Sequence, residues 1–536
     1  MRLINVETLE FKEFHESQIP QYAILSHTWK DGEEMTYQDM MAASRPSKPG
    51  YGKIIETCRL ARHEKLEYAW VDTCCIDKSS SAELTESINS MYRWYQNATI
   101  CFVHLSDLSP EWKALGFEEA LWQCRWTTRG WTLQELIAPR NIDFYDANWH
   151  RVCSKGDISA ELSRVTLIPY DVLSGKQDLD QYSIAMKMSW ASRRETTRPE
   201  DTAYCLLGIF DINMPLVYGE GSRAFFRLQE EIVRHSNDLT IFAWDSKSPG
   251  DEFCSAFAPS PAAFVGSKNI YSLAKSYQNP DFTITNKGLR LDAPLLLLQN
   301  LSLVGYHMLV GRKEGASPDG GASFVAVPLR VAGANVLVRP AVSTLDIETK
   351  EAFFHVIKGS SFYVDVKPSK PPAYYRQLLR QFRFGAIYVA AQLPSYLYRC
   401  NPVTLWDPHD GCFFGSQGFS IVYSGVAQLI IDDVVVHLWF MFHSKIEVRN
   451  PVIVNFHDCK ALATRLYRRK GGMDLLEWRD IAREFPIIAT LSDKTRVSVN
   501  GRAFLVTATI TPRSDHSYIL EIRASPENDT QKLPPS

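Results

Sequence analysis

The sequence predicts an α/β N-terminal domain, a parallel sheet flanked by helices, followed by a helical extension and then a β-rich C-terminal domain of sandwich or barrel type. Three observations carry this. Residues 1–150 alternate short β-type runs with longer helical patterns, as βαβ units do. From about Gly156 to Trp244 the apolar spacing turns helical. Beyond Phe282, β-type runs recur, and the last contains Asn500-Gly501, a two-residue hairpin signal.

In the first domain the strand candidates are Tyr22 to Ser26, Tyr68 to Asp72, Ile100 to Leu105 and Asn141 to Tyr145. Between the first two, Ile54, Ile55, Cys58, Ala61 and Arg62 repeat at helical spacing after Pro49-Gly50. The next helix has Ser80 and Glu83 as a capping box and one apolar stripe of Leu84, Ile88, Met91, Tyr92 and Tyr95. A short helix is expected over about Thr128 to Ala138, stopped by Pro139. In the extension, residues 151–245, Pro199 is placed to open one helix and Ser222 to cap another carrying Phe225, Leu228 and Ile232. Residues 246–280, rich in Ser, Pro, Ala and Gly, read as a linker. The β-rich domain covers 281–525, with strand candidates Phe282 to Ile284, Leu289 to Leu291, Phe419 to Tyr423, Val426 to Ile431, Val434 to Trp439 and Arg496 to Ile510. Residues 526–536 read as a disordered tail.

A formal net charge of −3 over 536 residues gives no whole-chain reason to expect nucleic acid or an anionic membrane as partner. Met1 to Pro20 lacks the pattern of a signal peptide, and no apolar run approaches the roughly 20 residues that cross a bilayer. Eleven cysteines, an odd number without a C-x-x-C pair, read as reduced, mostly buried thiols in a cytoplasmic protein. No His/Cys/Asp/Glu set has metal-ligand spacing, and no Gly-x4-Gly-Lys-Ser/Thr loop is present, so neither a metal nor a bound cofactor is expected.

Three stretches resemble the fungal heterokaryon-incompatibility (HET) family: Tyr22-Ala-Ile-Leu-Ser-His-Thr-Trp29, Tyr68-Ala-Trp-Val-Asp-Thr-Cys-Cys-Ile-Asp77 and Arg125-Trp-Thr-Thr-Arg-Gly-Trp-Thr-Leu-Gln-Glu-Leu136. Met188-Ser-Trp-Ala-Ser192 and the run from Glu200 to Gly221 resemble the segment that follows HET domains in many filamentous-fungal proteins, so the likeness covers about residues 1–245. HET domains are in turn similar to the Toll/interleukin-receptor (TIR) domain, a flavodoxin-like fold. Here Trp131-Thr-Leu-Gln-Glu-Leu136 followed by Asn141 to Asp146 echoes the Trp-Cys-Leu-Asp-Glu-Leu helix and next strand of plant TIR domains, with Thr132 where that family has Cys. Enzymatic TIR domains hydrolyse NAD with the glutamate of this helix, so the resemblance marks Glu135. The role it implies is an incompatibility effector that triggers programmed cell death, with NAD as substrate and self-association of the domain completing the site.

The residues themselves add detail. In open α/β sheets ligands collect outside the carboxyl ends of the strands. There this chain places Ser26, His27 and Trp29, then Asp72 and Asp77. At 100° per residue Leu133, Leu136 and Ile137 share one helix face, leaving Trp131, Glu135 and Ala138 on the other, exposed or lining a cleft. A carboxylate beside the ribose carbon stabilises the oxocarbenium that forms as nicotinamide leaves. Glu135 is assigned that role or the ribose hydroxyls, Trp29 and Trp131 pack on the substrate, and Ser26, Asp72 and Asp77 supply hydrogen bonds. His27 is either a general acid or base or a residue bonding loop backbone. The competing reading is a non-enzymatic module that signals by homotypic HET contacts to an unknown partner while the β-rich domain senses.

Overall fold

The computed structural model describes residues 1–42, 47–108, 112–246 and 253–273 and, beyond them, chiefly the strands of the C-terminal half. The first sheet has seven strands: β1 (Arg2–Asn5), β2 (Phe11–Glu13), β3 (Tyr22–His27), β4 (Tyr68–Trp70), β5 (Ile100–His104), β6 (Ile142–Tyr145) and β7 (Arg151–Ser154), in the order β2-β1-β4-β3-β5-β6-β7. The inner strands β4-β3-β5-β6 are parallel, as the alternation of strand and helix requires. β1, β2 and β7 pair antiparallel at the edges and were not among the strand candidates. β7 carries the sheet four residues past the expected domain boundary at 150.

Every residue of β3 is buried, which fits a central strand covered on both faces. The expected second strand stops early, because Asp72 opens a one-turn helix, α2 (Asp72–Cys75), instead of ending β4. Helix α1 (Gly50–His63) buries Ile54, Cys58 and Ala61 as the periodicity requires. Helix α3 (Ser81–Asn97) is capped by Ser80, whose Oγ accepts the Glu83 N–H at 3.3 Å. The Glu83 carboxylate does not return the bond; it takes the Asp77 N–H and Arg2, each at 2.8 Å. The helix expected over Thr128 to Ala138 is two pieces, α4 (Arg125–Thr128) and α5 (Thr132–Ile137), broken at Arg129-Gly130-Trp131.

The extension contributes α6 (Ile184–Ala191) and α7 (Arg223–His235), with Phe225, Leu228 and Ile232 buried on α7. The expected linker differs most. Phe253, Phe257, Phe264 and Ile270 are all buried, and the segment supplies short strands that pair with Arg339-Pro340 and Arg312-Lys313 of the β-rich part. Ser, Pro, Ala and Gly suggested flexible chain, yet these interspersed apolar residues give it enough surface to bury. One apolar core runs from Leu3 to Ile522.

The remainder is β-rich, in sheets of eleven, six and four strands. The candidates Phe282 to Ile284 and Leu289 to Leu291 are both strands, Phe282–Thr285 and Gly288–Leu291, and they pair antiparallel. The candidates Phe419 to Tyr423 and Val426 to Ile431 fall on one strand, described over Val422–Ile431; residues 414–421 lie outside the described residues. Lys494–Val499 and Arg502–Pro512 close on Asn500-Gly501, both at positive φ (50° and 79°), which is the two-residue turn that suits strand twist. Of the expected tail, only Pro526 and Glu527 are described, and Glu527 pairs with Arg496 at 2.7 Å. Among the described residues no helix is long and apolar enough to cross a membrane.

Candidate active site

The residues expected at the strand ends lie on two faces of the sheet. Successive side chains of a strand point to opposite sides, so Ser26 and His27 part company. Ser26 stands in register with Val103, and Val103 with Phe144; His27 stands with His104, and His104 with Tyr145. Trp126 packs edge-on against Phe144 on the first face, and Trp149 stacks on His104 at 4.1 Å on the second.

On the first face lies Glu135. All six residues of α5 are buried, so the helix has no open side and Glu135 is 5% exposed. Its carboxyl is bonded by the Ser26 hydroxyl, and the Ser26 oxygen in turn accepts the Trp126 indole N–H at 2.8 Å. Tyr95, fixed by its own bond to the Leu25 carbonyl at 2.9 Å, also reaches the carboxyl. Burial pushes the Glu135 carboxyl up to about 8, and the charge of Asp72 adds to this; Ser26, Tyr95 and Arg194 pull the other way. Glu135 is therefore mostly protonated at neutral pH. Buried Lys155 holds the C-terminal end of α5 by bonds to the Leu136 and Pro139 carbonyls at 2.9 and 3.0 Å.

Across the sheet His27, Asp72 and Trp29 form a second group. His27 Nε2 lies 3.1 Å from Asp72 Oδ1, and the Trp29 indole N–H donates to Asp72 Oδ2 at 3.0 Å. His27 Nδ1 lies 3.0 Å from Lys53 Nζ, which also bonds Glu34 and the Thr28 carbonyl. An ammonium has no lone pair to offer, so Nδ1 must accept and the ring proton sits on Nε2, donated to Asp72. Burial alone would raise the Asp72 carboxyl, but the His27 hydrogen bond leads the contributions that hold it below the ordinary carboxylate range. Trp29 is 41% exposed, and Lys78 Nζ rests 3.5 Å from its ring centroid.

Two expected members stand apart. Asp77 spends its carboxylate on Ser79 and Gln38, ordering its own loop. The indole of Trp131 bonds Asp201 in the extension, which makes it a tether between α5 and the extension. Trp131 is the N-cap of α5, with helical φ and ψ of −61° and −36°, so it still stands one turn before Glu135, but its side chain meets the extension. Sequence reasoning also passed over Tyr95, Trp126, Lys53 and Lys155. Trp126 stands inside the Arg125–Leu136 motif and Tyr95 at the end of an apolar stripe, so each carried a signal that pointed to core packing; the two lysines carried none. His104 belongs here as well: burial brings its imidazole down to about 4, leaving it neutral beside His27. Among the described residues no group of three or more His, Cys, Asp or Glu side chains is placed to hold a metal ion.

Comparison with known proteins fits this layout. Residues 22–124, from β3 to the residue before α4, match the family described as Heterokaryon incompatibility protein (HET). Residues 223–260, α7 and the segment expected as linker, match a domain of unknown function, DUF8212. The chain is 45% identical over 239 residues, 42% of its own length, to the Vegetative incompatibility protein HET-E-1 of Podospora anserina, and spans 17% of that relative's length. No solved structure matches. The family match thus takes in the first two of the three motifs, and the third, Arg125–Leu136, follows directly after it.

Proposed function

We propose that this protein is a vegetative-incompatibility effector that triggers programmed cell death in the cytoplasm of a filamentous fungus, and that its HET domain, as a TIR-like fold, hydrolyses NAD when copies of it associate. The observation that carries the enzymatic part is Glu135: a buried carboxyl held near 8, under the charge of an ionised Asp72 across the sheet. Two carboxyls whose surroundings drive their proton affinities apart are the arrangement that acid–base and glycosyl chemistry uses. The shared identity with a vegetative incompatibility protein supports the biological part.

In the reaction the bond between ribose C1′ and the nicotinamide nitrogen breaks, and its electron pair leaves with neutral nicotinamide. Water adds its oxygen to C1′, and its proton passes to solvent, giving ADP-ribose. Ionised Glu135 stabilises the positive charge that develops at C1′. Ser26 holds that carboxylate in place, while the half-exposed Trp29 offers a flat face at the rim and Asp72 a hydrogen-bond acceptor. Because Glu135 is neutral and enclosed in the single chain, association must both open the site and draw off its proton.

The test is NAD loss by purified full-length protein under forced dimerisation, beside Glu135→Gln. Loss that disappears with the substitution, and that rises with pH through about 8, is the expected result. Equal loss in both proteins removes Glu135 from the chemistry. No loss in any folded, assembled form leaves the HET domain as a homotypic signalling module.

A further inference from the structure

We infer that Arg194, in the extension beyond the matched HET segment, is a positioning residue for Glu135: it locks the start of α5 and supplies the cation that Glu135 meets when it ionises. This rests on the reading of Glu135 as the reactive carboxyl.

The contact is built from both main chain and side chain. Residues 194–196 run beside the break between α4 and α5, where Gly130 N–H donates to the Glu195 carbonyl at 2.9 Å and Glu195 N–H to the Thr128 carbonyl at 2.6 Å. Gly130 is required for this approach, since a Cβ there would lie 2.5 Å from the Thr196 methyl. Through that seam Arg194 Nη1 donates to the Arg129 carbonyl at 2.7 Å and to Thr132 Oγ1 at 2.8 Å. Thr132 Oγ1 donates onward to the Trp126 carbonyl, the Trp126 indole holds Ser26, and Ser26 bonds Glu135. Hydrogen bonds on either side of Trp126, one at its main-chain carbonyl and one at its indole, thus link the guanidinium to the carboxyl through that residue.

The other arm of the guanidinium gives the second reason. Arg194 Nη2 is buried and has no hydrogen-bond partner among the described residues. An unpaired buried donor on a cation is costly, and a negative charge arriving nearby would offset that cost. Two ionisable groups act on Arg194, Cys205 and Glu135. Burial keeps the Cys205 thiol up at about 12, so at neutral pH the arriving charge is that of Glu135. The other ionisable groups facing Glu135 are Asp72 from α2, Tyr95 from α3 and Cys101 from β5; Tyr95 and Cys101 stay neutral and Asp72 is negative, and Lys155 is held by the Leu136 and Pro139 carbonyls at the far end of α5, so among the described residues Arg194 is the cation whose charge favours an ionised Glu135.

The experiment follows the Glu135 carboxyl itself in the full chain, by the infrared C=O stretch that Glu135→Gln removes, together with the pH profile of NAD loss in the forced dimer. Arg194→Met should move the Glu135 midpoint up by a unit or more, leaving roughly tenfold less ionised carboxylate at pH 7, and shift the NAD profile with it; Arg194→Lys should restore most of both. Arg194→Gln, which keeps one donor for Thr132 but no charge, should shift the midpoint as well and carries the test if Arg194→Met does not fold. An unmoved midpoint in either folded neutral variant overturns the proposal. A shifted midpoint with no NAD loss in any variant, wild type included, upholds the role of Arg194 and removes the enzymatic reading instead.

Discussion

Ser26, on the central strand, donates its hydroxyl to Glu135, on a short helix 109 positions later, while the indole of Trp126 holds the same serine oxygen at 2.8 Å. A side chain at a strand end and a carboxyl from a distant helix are thereby fixed in a dry place under the sheet. A carboxyl there ionises only against the cost of its burial.

That cost predicts a stability effect. Between pH 4.5 and about 8 the unfolded chain has released the Glu135 proton and the folded chain keeps it. The stability contributed by the protonated form is complete below the lower value and is lost as pH rises through the upper one. Glu135→Gln never ionises, so its advantage over the wild type should grow across this window, reaching about 3 kcal/mol at pH 7. Denaturant unfolding of both proteins at pH 5 and pH 8 checks this; an equal difference at the two values would refute it.

His27 should carry its proton on Nε2 at neutral pH, because Lys53 claims Nδ1. Long-range ¹H–¹⁵N correlation, assigned with His27→Gln, should show the Nε2–H pattern in the wild type. In Lys53→Met the constraint is lifted and the two tautomers should mix. A pure Nδ1–H pattern in the wild type would contradict the geometry.

Cutting the chain after residue 245 should damage it rather than simply free the HET domain. Arg339, fully buried in the β-rich part, donates to the Phe242 and Trp244 carbonyls and covers the Trp244 ring at 3.9 Å. The Trp244 indole bonds the Ala256 carbonyl at 2.8 Å, and Gln229 exchanges two bonds of 2.9 Å with Ala258. Residues 1–245 alone should therefore aggregate or melt well below the full chain. Arg339→Met in the full chain should cost at least about 2 kcal/mol for the carbonyls it strands. Thermal melting and size-exclusion chromatography decide; an unchanged, sharp transition in the fragment would show that this packing contributes nothing. Any gain in toxicity on truncation is to be read as release from restraint only if the fragment proves folded.

The sequence by itself determined the elements that local rules control. Period-two and period-3.6 apolar patterns located the four parallel strands, α1 and α3; Ser80 marked a helix start, and Asn500-Gly501 marked a hairpin whose two positive φ values only such residues adopt readily. The motifs likewise placed Ser26, His27, Asp72 and Glu135 at strand and helix ends. Only the tertiary structure decided which of these meet. Strand alternation sent Ser26 and His27 to opposite faces, and the extension brought Asp201 to Trp131 and Arg194 to the start of α5. It also drew residues 253–271 into the core. Helical and strand periods depend on neighbours a few residues apart. Proton affinity, enclosure and charge pairing depend on groups that distant segments bring together, and no local spacing encodes that.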